Sequence, residues 1–179
     1  MSGSLRTARF QLRPLQADDP ADRDLYVALY TSPAVMARIM PPLAAAGATA
    51  AFERTCRHNA RDTPGHRHWS VVEAATGRRA GVVGLLREGR CVEIGGVLLP
   101  AWWNRGVSRE AYARIIDHAF EAMGVDLVFG ERVDDAHARL IDRLFAPLGL
   151  ARVPAGARVD GRCRWELRQA DWAARRDGP

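Results

Sequence analysis

The sequence predicts a single α/β domain in which helices surround one mixed sheet. Three strand-like runs separated by turn residues lie in the middle of the chain, and a strongly periodic helical segment follows them. No internal repeat, low-complexity linker or change in composition divides the 179 residues. One domain is therefore expected over residues 1–179.

The predicted elements begin with an alternating segment that is typical of a strand. Asp18, Asp19 and Pro20 are typical of a helix start. Thr76-Gly77 and Glu88-Gly89 are turn signals, so the strands around them are expected to form an antiparallel meander. The predicted bounds are strand 7–15; helices 18–29, 32–40 and 44–61; strands 68–74, 80–86 and 91–99; helix 107–123; strand 126–133; helix 136–148; and strand 161–168.

The charge of the chain favours an anionic ligand. All 26 basic residues are arginine and the net charge is +5, so both a nucleic acid and a polyanionic cofactor are compatible with it. The arginines are dispersed and form no recognisable nucleic-acid motif, so no nucleic acid is expected.

Other functional classes are disfavoured by the composition. No run reaches the roughly 20 apolar residues that span a bilayer, and no secretory signal opens the chain. A cytoplasmic protein without a membrane partner is expected, either as a monomer or as a homodimer. The 3 cysteines lack CxxC spacing, which predicts neither a disulfide framework nor a metal site.

Segment 92–111 carries most of the chemical information. It reads as the end of a strand, a turn of small residues and the start of a long helix. Backbone amides at such a start lack intrahelical partners and the helix dipole is positive there, which suits a phosphate or pyrophosphate. Gly106 allows close approach of the backbone to a ligand, and Arg105 and Arg109 add positive charge. An ordinary strand-to-helix turn explains the same residues, so both interpretations stay open at this point.

The same segment resembles motif A of the GNAT acetyltransferase superfamily, in the branch similar to the ribosomal-protein N-acetyltransferases. That branch reads Glu-Ile-Gly, a short strand, Pro, an aromatic residue and a Gly-X-Gly-Tyr-Ala-Thr-Glu-Ala-like loop. Further matches follow in the right order: 5–15, 69–73 and 80–86 resemble the first strands, 148–150 the Leu-Gly-Phe, and 160–172 the closing strand and Trp. The resemblance implies the GNAT fold, a twisted, mostly antiparallel sheet of about six or seven strands with helices on both faces.

The resemblance also implies an N-acetyltransferase. Such an enzyme transfers an acetyl group from acetyl-CoA to a primary amine, on a protein N-terminus or a small molecule, by direct attack in a ternary complex without a metal. The pantetheine arm would enter between strands 93–99 and 127–133, where a strand amide near Val97 or Leu98 polarises the thioester carbonyl. The implied cofactor-binding residues are Val97, Leu98, Leu99, Asn104, Arg105, Gly106, Val107, Ser108 and Arg109.

The sequence departs from the family pattern in several places. Asn104 and Ser108 replace small residues of the loop and are themselves small. Gly96 replaces an aromatic residue and is expected to widen the substrate cleft. The Asn-X-X-Ser element is degenerate within 134–139, and the helix that follows has no Tyr to protonate the thiolate. A catalytically silent acyl-CoA-binding module that regulates or scaffolds a partner therefore stays an alternative.

The candidate catalytic residues follow from the need to deprotonate the amine, whose reference pKa is about 10.4 when it resembles lysine. Glu93 matches a residue often used as the base in relatives, and the alternative is a sheet carboxylate paired with an Arg. Glu131 and Asp134, on the opposite strand, are candidates to hold or deprotonate the amine. His137 or a water is the expected proton donor to the thiolate, unless the enzyme dispenses with this step.

The remaining polar and aromatic residues are expected to be structural. Glu110 should favour the dipole of the long helix as a capping carboxylate. Residues 66–69 are expected at the surface near the substrate mouth, and the histidines at 58 and 118 within helices. One of Trp102 and Trp103 should pack in the core while the other shields the cofactor.

Overall fold

The computed structural model describes residues 3–37, 39–61, 65–154 and 161–177. The strands of these residues are β1 Leu5–Arg6, β2 Phe10–Pro14, β3 Arg67–Glu73, β4 Arg79–Glu88, β5 Cys91–Leu98, β6 Leu127–Val133, β7 Ala151–Arg152 and β8 Arg162–Arg168. The helices are α1 Pro20–Thr31, α2 Pro33–Met36, α3 Ala45–Asn59, α4 Val107–Ala122, α5 Ala138–Phe145 and α6 Gln169–Asp177, with 3-10 turns at Pro100–Trp102 and Ala146–Leu148.

The strands form one sheet in the order β1-β2-β3-β4-β5-β6-β8-β7. Only the β5–β6 pair is parallel among the described strands. The prediction of a mixed, mostly antiparallel α/β sheet is confirmed, but the predicted number of six or seven strands is wrong, since the sheet has eight. Within the predicted strand 7–15 only Phe10–Pro14 is a β-strand, and it is the second of two short antiparallel strands. The two-residue β7 extends the far edge by pairing with β8.

The helix start predicted near residue 20 is confirmed. The side chain of Asp19 accepts a hydrogen bond from the amide of Ala21 at 2.9 Å, and Pro20 occupies the first turn. The buried carboxylate of Asp22 then accepts a hydrogen bond from Arg79 Nε at 3.0 Å, which ties α1 to β4. Helix α2 ends at Met36, earlier than predicted, and α6 was not predicted.

Helices cover both faces of the sheet, as predicted. The neighbouring residues Val82 and Val83 of β4 point to opposite faces. Val82 packs in the cluster that includes Leu29 of α1 and Phe52 of α3. Val83 packs in the larger cluster that includes Tyr112 of α4 and the end of α5.

The sheet opens between β5 and β6. Pairing joins Cys91–Glu93 to Leu127–Phe129, yet β5 continues to Leu98 and β6 to Val133. Backbone groups of β5 that face this gap after Glu93 have no neighbouring strand on that side, and such groups need another partner. Because a β-carbon on Gly130 would lie 2.5 Å from the Phe145 ring, α5 packs this closely only against a glycine.

None of the helices in the described part of the chain is long and apolar enough to cross a membrane. Within the same residues, no three His, Cys, Asp or Glu side chains converge as metal ligands.

Candidate active site

Two clefts meet at the gap between β5 and β6. The first cleft, of about 950 Å³, is bordered by Glu93, Gly95 and Glu131. The second cleft, of about 560 Å³, lies at the start of α4. Gly96, Val97 and Tyr112 border both, so a ligand in one cleft reaches a ligand in the other at this junction.

The loop before α4 has a backbone suited to an anion. Asn104 and Gly106 adopt left-handed conformations, with φ of 58° and 72°. Asn tolerates this region better than other residues that carry a β-carbon, which explains how it replaces a glycine here. Helix α4 starts at Val107, and no side chain caps it. The first amides of a helix have no intrahelical partner, and those of residues 107–109 border the second cleft.

Glu110 fixes this loop to the N-terminal strands. Its carboxylate accepts hydrogen bonds from Thr7 Oγ1 at 2.6 Å, from the Arg9 amide at 2.8 Å and from Arg9 Nε at 2.7 Å. Burial opposes ionisation, but these hydrogen bonds outweigh it and lower the pKa of Glu110. Arg9 also donates to the carbonyl oxygen of Arg105 at 3.1 Å. The position of Glu110 in the first turn of α4 fits the predicted dipole role, and its hydrogen bonds also join this helix to the N-terminal segment.

The two tryptophans of the loop divide as expected. Trp102 is buried, and the guanidinium carbons of Arg78 and Arg105 lie 5.5 and 5.7 Å from its ring. Trp103 is 44% exposed, borders the second cleft and donates its indole N–H to the carbonyl oxygen of Leu98 at 2.9 Å. The core position of Trp102 is confirmed, while a shielding role for Trp103 stays a prediction.

Most of the implied cofactor-binding residues surround the second cleft. Leu99 and Arg105 are not among its lining residues, because Leu99 packs against the core and Arg105 covers Trp102. The seven that line it are Val97, Leu98, Asn104, Gly106, Val107, Ser108 and Arg109.

Glu93 lies half-buried on β5 and borders the first cleft. Its carboxylate makes no hydrogen bond or ion pair with any described residue, so the alternative of a carboxylate paired with an Arg does not apply. Burial raises the pKa of Glu93, and the charge of Glu131 raises it further. A carboxylate with a raised pKa is a better proton acceptor near neutral pH than an ordinary one.

Glu131 borders the same cleft, but its carboxylate already binds arginine side chains. Arg164 Nη1 donates to it at 2.5 Å, and Arg162 Nε lies 3.6 Å from its second oxygen. Asp134 is exposed and pairs with Arg152 at 2.6 Å, and it borders neither cleft. His137 borders the second cleft, where its amide donates to Asp135 at 2.9 Å.

Tyr112 was missed by the sequence analysis. Its hydroxyl lies 3.1 Å from the position of a β-carbon on Gly96, in the space that an aromatic residue at 96 would require. The hydroxyl makes no hydrogen bond with any described residue, and burial strongly raises the pKa of the phenol. The sequence feature that could have pointed to Tyr112 is its place within the apolar stripe of α4. A Tyr in such a stripe is more commonly a core residue.

The segment 66–69 differs from its prediction. Trp69 and Arg67 are buried, and Arg67 donates to the carbonyl oxygens of His58 and Arg61 at 2.9 and 2.8 Å. The expected surface location is wrong for both, because Trp69 faces the core within β3 and Arg67 satisfies carbonyls at the end of α3. His68 does border the first cleft, and burial lowers its pKa to about 4.

Residues 9–154 match the family model described as the acetyltransferase (GNAT) domain. Since this match covers most of the 179 residues, the chain belongs to the GNAT acetyltransferase family. The comparison with curated protein sequences returned no significant match.

Solved structures share the fold at low sequence identity. An acetyltransferase from Agrobacterium tumefaciens str. C58 is 21% identical with a TM-score of 0.77, over 93% of this chain and 95% of that one. A GNAT-family acetyltransferase from Bacillus anthracis is 14% identical with a TM-score of 0.74, over 93% and 99%. The spermidine N-acetyltransferase from Vibrio cholerae in complex with CoA and spermine is 15% identical with a TM-score of 0.73, over 93% and 99%.

Proposed function

We propose that the protein transfers the acetyl group of acetyl-CoA to a primary amine by direct attack in a ternary complex. The observation that carries this proposal is the meeting of two chemically different clefts at Gly96, Val97 and Tyr112. The second cleft has the unpaired amides of a helix start, and the first has an unpaired carboxylate. Membership of an acetyltransferase family supports the same reaction.

Acetyl-CoA occupies the second cleft in this proposal. Its pyrophosphate accepts hydrogen bonds from the amides of residues 107–109, where the dipole of α4 and the charge of Arg109 favour an anion. The pantetheine arm lies along β5 in the gap, as a partner for backbone groups that β6 leaves unpaired. An amide near Val97 or Leu98 then donates to the thioester oxygen as negative charge develops on it.

The amine occupies the first cleft, where Glu93 accepts its proton. An ammonium must lose one proton before its nitrogen can attack, and Glu93 takes this proton directly or through a water. Burial keeps the pKa of Glu93 raised, and the charge of Glu131 raises it further, while the charges of Arg162 and Arg164, which hold Glu131, lower it.

The chemical step forms a C–N bond and breaks the C–S bond. The neutral amine attacks the thioester carbonyl carbon, the nitrogen loses its second proton as the amide forms, and the sulfur leaves as a thiolate. Starting from the ammonium, the nitrogen loses two protons and the thiolate takes up one, so one proton is released to solvent. Tyr112 donates the proton to the thiolate, since its phenol lies at the junction of the two clefts. His137, in the second cleft, is the alternative donor.

Thiol release tests the proposal against the silent-module alternative. The release of coenzyme A thiol from acetyl-CoA is measured in the presence and absence of a panel of primary amines. The thermal stability of the protein is measured separately, with and without acetyl-CoA. An enzyme releases thiol at a rate that depends on the amine. A silent module gains stability by mass action but never releases thiol above the rate without protein.

A further inference from the structure

Large exposed hydrophobic side chains are concentrated at the two clefts. In the described part of the chain, six such side chains are at least 40% exposed, and every one borders a cleft. Single exposed apolar residues are ordinary on a protein surface, but a group of them around a cavity marks a ligand with apolar surface. Those at the first cleft are Ile39, Met40, Leu86 and Val133, and those at the second are Trp103 and Leu140, with Ile39 bordering both.

The described part of the first cleft has one carboxylate that is free to bind a cation. Among the described residues, three acidic ones border it, namely Glu93, Glu131 and Asp135. Arg164 donates a hydrogen bond to the Glu131 carboxylate, and Arg132 donates to both oxygens of Asp135 at 3.0 Å. Of these three carboxylates, only that of Glu93 has no hydrogen-bond or ion-pair partner among the described residues. A second ammonium on the acceptor would therefore enter the cleft without a carboxylate, which is costly for a desolvated charge.

The residue directly across from Glu93 is apolar. In the antiparallel ladder of β4 and β5, Leu86 pairs with Glu93, and Gly84 pairs with Gly95. Directly opposed side chains lie about 4.5–5.5 Å apart at their β-carbons. Leu86 therefore lies beside the Glu93 carboxylate in the first cleft.

We infer that the acceptor is a small primary monoamine with an alkyl or arylalkyl body, and that polyamines are poor acceptors. This inference rests on the proposed function, because it names the substrate class of the same site. Glu93 binds the single ammonium, and the apolar rim formed by Ile39, Met40, Leu86 and Val133 covers the body. Arg132 borders the same cleft and is paired with Asp135, so this pair offers no free carboxylate to a second ammonium.

A series of amines of increasing length tests the inference. For butylamine, hexylamine and octylamine, kcat/KM should rise by about threefold for each added methylene until the cleft is filled. Spermidine and putrescine should be poorer acceptors than hexylamine by about tenfold or more, since their additional charge meets no free carboxylate. A flat series, or a preference for spermidine, overturns the inference while leaving the acetyl transfer itself established.

Leu86→Glu supplies the missing carboxylate and should reverse the preference. The ratio of kcat/KM for putrescine to that for hexylamine should increase by about tenfold, because both ammonium groups then have an acidic partner. The matched variant Leu86→Gln removes the same apolar surface without adding charge, so it should weaken hexylamine without improving putrescine. An unchanged ratio in Leu86→Glu contradicts the inference. If wild-type protein binds acetyl-CoA but transfers acetyl to no amine, the proposed function itself fails.

Discussion

The hydroxyl of Tyr112 lies 3.1 Å from the position that a β-carbon on Gly96 would occupy. Gly96 on β5 and Tyr112 on α4 are therefore complementary in size, since the Tyr112 side chain fills the space beside the glycine. Both residues border the first and second clefts. A phenol at this junction is next to the place where the two substrates meet in the proposed reaction.

Tyr112→Phe should lower kcat by about tenfold to a hundredfold. This effect lies at the lower end of, or below, what loss of a general acid usually causes. The KM for acetyl-CoA should change little, because the ring and its packing are kept. A thiol has a reference pKa near 8.5, so solvent can replace the donor in part. His137→Ala provides the comparison. If His137→Ala has the larger effect and imidazole restores the rate, the donor is His137 and not Tyr112.

Gly106→Glu should abolish the increase in melting temperature that acetyl-CoA produces. The new carboxylate would stand beside the proposed pyrophosphate site, and the left-handed φ of 72° at this position also disfavours a side chain. Gly89→Glu is a matched control, because Gly89 has a similar φ of 60° in the turn between β4 and β5, away from the clefts. Persistence of the ligand-induced shift in Gly106→Glu, measured by thermal unfolding, would remove the loop from the cofactor site.

Glu93→Gln should reduce turnover by about a hundredfold with little change in acetyl-CoA affinity. The pKa of Glu93 is raised above its ordinary value of 4.5, so the active, ionised form is lost as pH falls through this raised value. In the wild type, kcat/KM should therefore rise with pH through a limb that Glu93→Gln lacks. Glu131→Gln should keep the limb but move it to lower pH, since the neighbouring charge that raises the pKa is gone. A limb that survives in Glu93→Gln assigns the base elsewhere.

Glu110→Gln should lower the free energy of unfolding by about 1–3 kcal/mol at pH 7, as expected for hydrogen bonds to a charged group. The folded pKa lies below the ordinary 4.5, so the stabilisation is complete above 4.5 and is lost as pH falls through the folded value. Stability should thus depend less on acid pH in the variant. Glu121→Gln, in the same helix, removes an exposed pair with Arg176 and should cost less than about 1 kcal/mol. Equal effects of the two substitutions in urea titrations would refute the bridging role of Glu110.

Local patterns were sufficient to predict much of the fold and the loop that precedes α4. The turn signals Thr76-Gly77 and Glu88-Gly89 predicted the meander of β3 to β5, and the period after Gly106 predicted α4. Such features depend on neighbouring residues, so a sequence contains them directly. The edge strand β7 is only two residues long and leaves no periodic signal.

The acceptor side of the site depends on contacts between distant segments. The salt bridge from Arg164 to Glu131 joins residues 33 positions apart and decides which glutamate stays unpaired. Tyr112 occupies an apolar position of α4, and only the packing of that helix over β5 reveals that it faces Gly96. For this reason Glu93 could be predicted from its motif, whereas Tyr112 and the apolar rim could not.

The most direct test of the account follows the acetyl group itself. Acetyl-CoA with a deuterated acetyl group is mixed with the protein and hexylamine, and the reaction is quenched at successive times. The masses of the amine, coenzyme A and the intact protein are then measured by mass spectrometry. Direct transfer predicts labelled N-acetylhexylamine in equal amount to the released thiol, with no label on the protein at any time. Label that appears on the protein before the amine would contradict the account. Labelled acetyl-CoA that stays intact with hexylamine, and with each amine of the thiol-release panel in its place, would also contradict it.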